Sequence, residues 1–97
     1  MVWALRFHSA VPNDLSDLDK ANQQAVLKAI RKKLTIAPEG YGEPLRKELF
    51  GLWKLRVGEV RVIYRIEKTL VAVFILKVGF RRDSAVYEKV LQRLRRS

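Results

Sequence analysis

Lys54, Arg56, Arg61 and Arg65 take alternate positions in two neighbouring runs, Trp53-Lys54-Leu55-Arg56-Val57 and Val60-Arg61-Val62-Ile63-Tyr64-Arg65. Guanidinium groups match phosphate oxygens bidentately and keep their charge, so the chemistry such a set suits is binding and polarising a phosphodiester. Read as strands, the runs form a hairpin around Gly58-Glu59, because glycine at the first loop position suits a type II′ turn. That register pairs Val57 with Val60, Arg56 with Arg61, Leu55 with Val62, and Lys54 with Ile63. Arg56 and Arg61 then stand opposite each other, with Lys54 beside them and Arg65 further along the same face. Like charges facing across strands are destabilising, so a sheet that tolerates them is expected to hold an anion there. The plainer alternative is a solvent-facing strand whose charges discourage edge-to-edge association. Arginines that oppose one another, instead of alternating with carboxylates, favour the anion site.

Arg81 leaves the end of a later apolar strand and is expected to reach the same area. Tyr87 lies at the start of a final helix. It suits stacking on a nucleobase, yet it also keeps helical spacing with Val90, Leu91 and Leu94, and spacing alone leaves both readings open. Trp53 and Tyr64 face each other on the opposite side of the hairpin and read as core. His8, the one histidine, has no partner in sequence and reads as structural or surface. Phe80 suits packing or ligand contact equally. Arg93, Arg95 and Arg96 suit the C-terminal end of a helix, with a nucleic-acid backbone as a further possible contact.

The composition narrows the classes of function. The net charge of +10 is uneven: residues 1–43 hold six basic and five acidic side chains, and residues 44–97 hold fourteen and five. Positive charge concentrated where the hairpin lies points to a polyanionic partner, usually nucleic acid, against the alternative of a solvated surface. With no cysteine and one histidine, thiol nucleophiles, disulfides, Cys-based metal sites and paired-histidine catalysis within one chain are excluded. No metal or cofactor is implied. The N-terminus has no signal-peptide pattern and the longest apolar run, Leu70 to Leu76, is far short of a membrane span, so a cytoplasmic protein is expected.

The elements that must carry these residues follow from patterning. Val2 to Phe7 reads as a strand. Ser9 suits a helix cap with Pro12 in the first turn. A second helix from about Asp19 places Val26, Ile30, Leu34 and Ala37 on one face and ends at Pro38 and Gly40, which predicts a helical hairpin. Tyr41 to Pro44 reads as loop, and Leu45 to Gly51 carries no clear pattern. Strands are expected over 52–57, 60–66 and 70–78, the last covered on both faces. Asp83 or Ser84 caps the last helix, whose inner side holds Val86, Val90, Leu91 and Leu94. The whole, residues 1–97, reads as one α+β domain in the order β-α-α-β-β-β-α.

At the block from Leu45 to Tyr64 (Trp-Lys-Leu-Arg-Val-Gly, then Arg-Val-Ile-Tyr) and at Gly79 to Tyr87 (Gly-x-Arg-Arg-x-x-x-Val-Tyr), the sequence resembles the RelE/ParE superfamily of toxins from toxin–antitoxin modules. It is most similar to the RelE branch, and the resemblance covers nearly the whole chain. The first block marks the fold and the second is the more specific. What the resemblance implies is a fold like that of small microbial ribonucleases and a ribosome-dependent endoribonuclease. Such a toxin cuts mRNA in the ribosomal A site by attack of a ribose 2′-hydroxyl on the adjacent phosphate, leaving a 2′,3′-cyclic phosphate and a free 5′-hydroxyl. Carried over by position, Lys54 would be the general base or electrostatic activator of that hydroxyl. Arg61 would stabilise the phosphorane, Arg56 would assist binding, Arg81 would act near the leaving oxygen, and Tyr87 would stack on or orient a base. Arg65, Lys47, Lys77 and Arg82 would bind RNA. The chain departs from RelE-type enzymes at Leu52, where they commonly carry a second lysine, and Lys47 or Lys77 is the candidate replacement.

The implied partners are a cognate antitoxin, expected to be small and acidic, the ribosome with its mRNA, and operator DNA reached through the antitoxin complex. Two other functions compete. One is a ParE-like inhibitor of DNA gyrase, which would not need an RNA-cutting cluster. The other is a non-catalytic nucleic-acid-binding protein that uses the same basic face.

Overall fold

The computed structural model describes residues 2–81 and 86–96. Its strands are β1 (Ala4–Phe7), β2 (Glu43–Pro44), β3 (Leu52–Val57), β4 (Val60–Glu67) and β5 (Ala72–Phe80). Its α-helices are α1 (Val11–Ser16), α2 (Lys20–Ala29), α3 (Pro38–Tyr41) and α4 (Val86–Arg96). The strands form one sheet in the order β1-β5-β4-β3-β2, parallel between β1 and β5 and antiparallel elsewhere. This is the expected α+β class.

Alternation along the strands divides two apolar layers between the two faces of the sheet. On one face Leu55, Val60, Val62, Tyr64, Val73, Ile75 and Val78 pack against Val11 and Leu18 around α1, Val26 of α2, and Ile30 and Leu34. The last two lie on a π-helical turn, Ile30–Leu34, that continues α2. On the other face Leu52, Ile63 and Leu76 make a smaller bed for Val90 of α4, with Tyr87 and Leu94 packed beside it. Among the described side chains of α4, only Val90 is fully buried. Burial of one such side chain contributes roughly 1.5–3 kcal/mol, a modest anchor from the described residues.

Several boundaries differ from those the sequence suggests. The cap of α1 is Ala10, not Ser9, because His8 closes the turn first: its Nδ1 accepts the Ala10 N–H at 3.1 Å and its carbonyl accepts the Val11 N–H at 2.9 Å. Pro38 does not simply end a helix. It opens α3, where a missing N–H costs little. Tyr64 Oη donates to the Pro38 carbonyl at 2.6 Å, tying this short helix to the sheet. Glu43–Pro44, expected as loop, pairs with Lys54 and Trp53 as the edge strand, a position that tolerates proline. The stretch without a clear pattern contains a 3₁₀ turn, Lys47–Leu49; its Leu49 and the preceding Leu45 pack on the α4 layer. The third long strand begins at Ala72, after a 3₁₀ turn at Lys68–Leu70 and left-handed backbone at Val71. Asp83 and Ser84, the expected caps of α4, lie outside the described residues, and so does the side chain of Val86.

Candidate active site

The hairpin forms in the expected register. Val57 pairs with Val60, Arg56 with Arg61, Leu55 with Val62, and Lys54 with Ile63. Gly58 has φ 59° and Glu59 is not among the residues of positive φ, as a type II′ turn requires. The apolar bed under α4 ends at Ile63. On the same face, the next side chains toward the turn are Lys54, Arg56 and Arg61, so cations begin where the helix no longer covers the sheet.

Lys54, Arg56, Arg61, Phe80, Arg81 and Tyr87 line a cleft of ≈ 190 Å³. β3 supplies Lys54 and Arg56, β4 supplies Arg61, and β5 ends on Phe80. The Arg81 N–H donates to the Glu59 carbonyl at 2.6 Å, which holds the chain leaving β5 against the hairpin turn. Arg61 is only 6 % exposed. Its Nη1 donates to the carbonyls of Gly58 and Val60 at 3.0 and 3.1 Å, so backbone oxygens fix the guanidinium. Among the described residues no carboxylate pairs with Lys54, Arg56, Arg61 or Arg81. A cleft lined by cations without described counter-carboxylates, one of them fixed by backbone oxygens, suits an anion. Tyr87 packs against the α4 layer, as one of its sequence readings expected, and it also lines the cleft.

The remaining candidates lie elsewhere. Arg65 shares the face but sits toward its far end, 5.2 Å over the Phe74 ring and ion-paired with Glu67 at 3.0 Å. Lys47 is exposed on the 3₁₀ turn, and its backbone has φ 58°. Lys77 must be corrected as an RNA-binding candidate: it is 6 % exposed and its Nζ donates to Asp14 at 2.7 Å. The reason is Asp14 of α1, which takes up the ammonium group and buries it. A bulge in β5 accompanies this: Ile63 pairs with Lys77 and Tyr64 with Ile75, which leaves Leu76 as an extra residue. Leu52 is buried in the bed under α4, so Lys77 does not stand in for a lysine there. Arg82 lies outside the described residues. Among the described residues no three His, Cys, Asp or Glu side chains come together to hold a metal.

The residue that sequence reasoning missed is Asp14. It is 5 % exposed and accepts bonds from Lys77, from the Val78 N–H at 3.0 Å, and from both terminal nitrogens of Arg93 at 2.7 and 2.8 Å. Burial works to raise its pKa, but the bonds from Arg93, Lys77 and Val78 outweigh it and hold the carboxyl below the usual carboxylate value. An aspartate in a short helix carries no signal for partners 63 and 79 residues away.

The family model for the ParE toxin of the type II toxin–antitoxin system parDE matches residues 5–85. The chain belongs to the RelE/ParE toxin superfamily. It is 35 % identical over 83 residues to toxin RelG of Mycobacterium tuberculosis, covering 86 % of this chain and 95 % of that protein. It is also similar to the M. tuberculosis toxin–antitoxin complex RelBE2, with 33 % identity, a TM-score of 0.79, and coverage of 84 % of this chain and all of that one. The fold matches that of an arginine double mutant of E. coli toxin RelE in the free state, at 24 % identity and a TM-score of 0.74, over 97 % of this toxin and 99 % of that one. Among the described residues of the toxin, no helix is long and apolar enough to cross a membrane.

Proposed function

We propose that the toxin is a ribosome-dependent endoribonuclease of the RelE kind that cuts mRNA in the A site and acts in the cytoplasm. The observation that carries this reading is the convergence of Lys54, Arg56, Arg61, Arg81 and Tyr87 on one cleft free of described counter-carboxylates. In this reading the ribose 2′-hydroxyl attacks the adjacent phosphorus, the P–O5′ bond breaks, and a 2′,3′-cyclic phosphate and a 5′-hydroxyl remain. Lys54 activates the attacking hydroxyl. Arg61, held by the turn carbonyls, stabilises charge on the phosphorane, and Arg56 binds the phosphate. Guanidinium keeps its proton, so Arg81 stabilises the leaving oxygen electrostatically; the proton lost by the 2′-hydroxyl passes to solvent and water protonates the departing 5′-oxygen. Tyr87 offers its ring to a base, Arg65 and Lys47 meet RNA outside the cleft, and Arg82 is a further RNA-binding residue.

Solved relatives in complex with an antitoxin support a cognate antitoxin for this toxin as well, and the net charge of +10 suits an acidic one. Operator DNA is then reached through the complex. A second reading, inhibition of DNA gyrase, is favoured by the matching family model, which is that of ParE. Primer extension on mRNA translated in vitro separates the two, comparing wild type, Arg81→Ala, and a reaction without ribosomes. Codon-phased cuts that need both ribosomes and Arg81 are expected. Growth arrest without such cuts would favour the gyrase reading.

A further inference from the structure

α4 carries Tyr87 into the cleft, yet among its described side chains few apolar ones hold it. Its packed residues Tyr87, Val90 and Leu94 form a narrow stripe on the bed of Leu52, Ile63 and Leu76. Hydrophobic contact is non-directional, so this stripe gives α4 a face to bury but no fixed register along the sheet. Register comes from a different side of the helix. Arg93 donates through both terminal nitrogens to Asp14 of α1, and through Nη1 to the Leu76 carbonyl of β5 at 2.7 Å. Paired N–H···O bonds between guanidinium and carboxylate are directional as well as strong. Lys77 and the Val78 N–H hold Asp14 itself in place from β5.

Arg93 lies six residues after Tyr87, about 9 Å along the axis at 1.5 Å per residue. A shift or rotation of α4 at Arg93 is therefore passed to the ring in the cleft. We propose that Asp14 and Arg93 are positioning residues of the active site: their clasp sets the register of α4 and so fixes the Tyr87 ring over the cleft. Neither touches the substrate. The catalytic part of this proposal rests on the endoribonuclease reading, whereas the clasp does not.

Arg93→Gln is the first variant to test, because it leaves the buried Asp14–Lys77 pair intact and so keeps the core compensated. The full-length toxin is followed by amide hydrogen exchange and by single-turnover cleavage on programmed ribosomes. In Arg93→Gln, exchange over residues 86–96 should rise on the order of tenfold or more, while the β3–β4 hairpin stays protected. Cleavage should fall roughly tenfold to a hundredfold, the scale expected of a misplaced group. Arg93→Lys, which keeps one charged bond, should recover part of both losses. Combined with Tyr87→Ala, Arg93→Gln should add little, since the ring it positions is gone.

Unchanged exchange over 86–96 in Arg93→Gln overturns the clasp. Faster exchange with wild-type cleavage, or penalties that multiply in the double variant, overturns the positioning role. Wild-type toxin that cuts no mRNA overturns the endoribonuclease reading and the catalytic role with it, and the exchange result then decides the clasp alone.

Discussion

Arg56 and Arg61 occupy directly opposed positions on β3 and β4, but they are not equivalent. Arg61 is buried and bonded to the turn carbonyls, while Arg56 is exposed. Opposed like charges cost roughly 0.2–1 kcal/mol, and the turn bonds of Arg61 offset this on one side only. Arg56→Gln should therefore raise stability by up to about 1 kcal/mol while weakening RNA binding, whereas Arg61→Gln should not stabilise. Thermal unfolding at low and high salt checks this. The gain from Arg56→Gln should shrink as salt screens the repulsion.

This relationship was legible because a two-residue turn with glycine first fixes the parity of every side chain along both strands. For Lys77 there is no such local rule, since nothing in the sequence announces the extra residue at Leu76 or the Asp14 carboxylate that takes up its charge. Patterning also reveals helix faces but not the ends set by distant partners. Pro38 reads as a terminator because the Tyr64 hydroxyl that draws α3 to the sheet lies 26 residues on. Arg93 reads as a simple helix-end charge for a similar reason: its carboxylate partner belongs to the other end of the chain. The cleft could be read from local spacing on the hairpin, and the clasp supporting it could not.

Arg61→Ala and Arg81→Ala should each lower cleavage on the order of a hundredfold or more, the scale for losing a preorganised charge beside a developing anion. They should differ in stability. Arg61 bonds the hairpin turn through its side chain, whereas Arg81 is exposed and makes its turn contact, to the Glu59 carbonyl, through the backbone. Single-turnover cleavage with parallel urea unfolding separates the two effects. Arg61→Ala should move both readouts and Arg81→Ala cleavage alone.

Gly42 sits against the Tyr64 ring, and a Cβ there would overlap the tyrosine hydroxyl. Gly42→Ala should displace that ring or the α3 segment and break the bond to Pro38. Tyr64→Phe removes the same bond with no overlap and leaves the Pro38 carbonyl without its donor. It should cost about 1–3 kcal/mol by urea unfolding, and Gly42→Ala should cost at least as much. Equal stability of Tyr64→Phe and wild type would mean that the bond contributes nothing.

The held-down pKa of Asp14 predicts an acid-labile α4. A carboxyl whose pKa is lower folded than unfolded contributes stability that is fully present above the unfolded value of 3.8 and is lost as pH falls through the folded one. Protonation removes the counter-charge of Lys77 and Arg93 together, so the loss falls on the helix that Arg93 anchors. Near neutral pH that contribution is complete and should not vary with pH. Below pH 3.8, amide exchange over residues 86–96 should rise before the hairpin loses protection. Asp14→Asn, which has no charge to lose, should show fast α4 exchange already at neutral pH and no further acid step from this site. An acid step of wild-type size in that variant would assign it to another carboxylate.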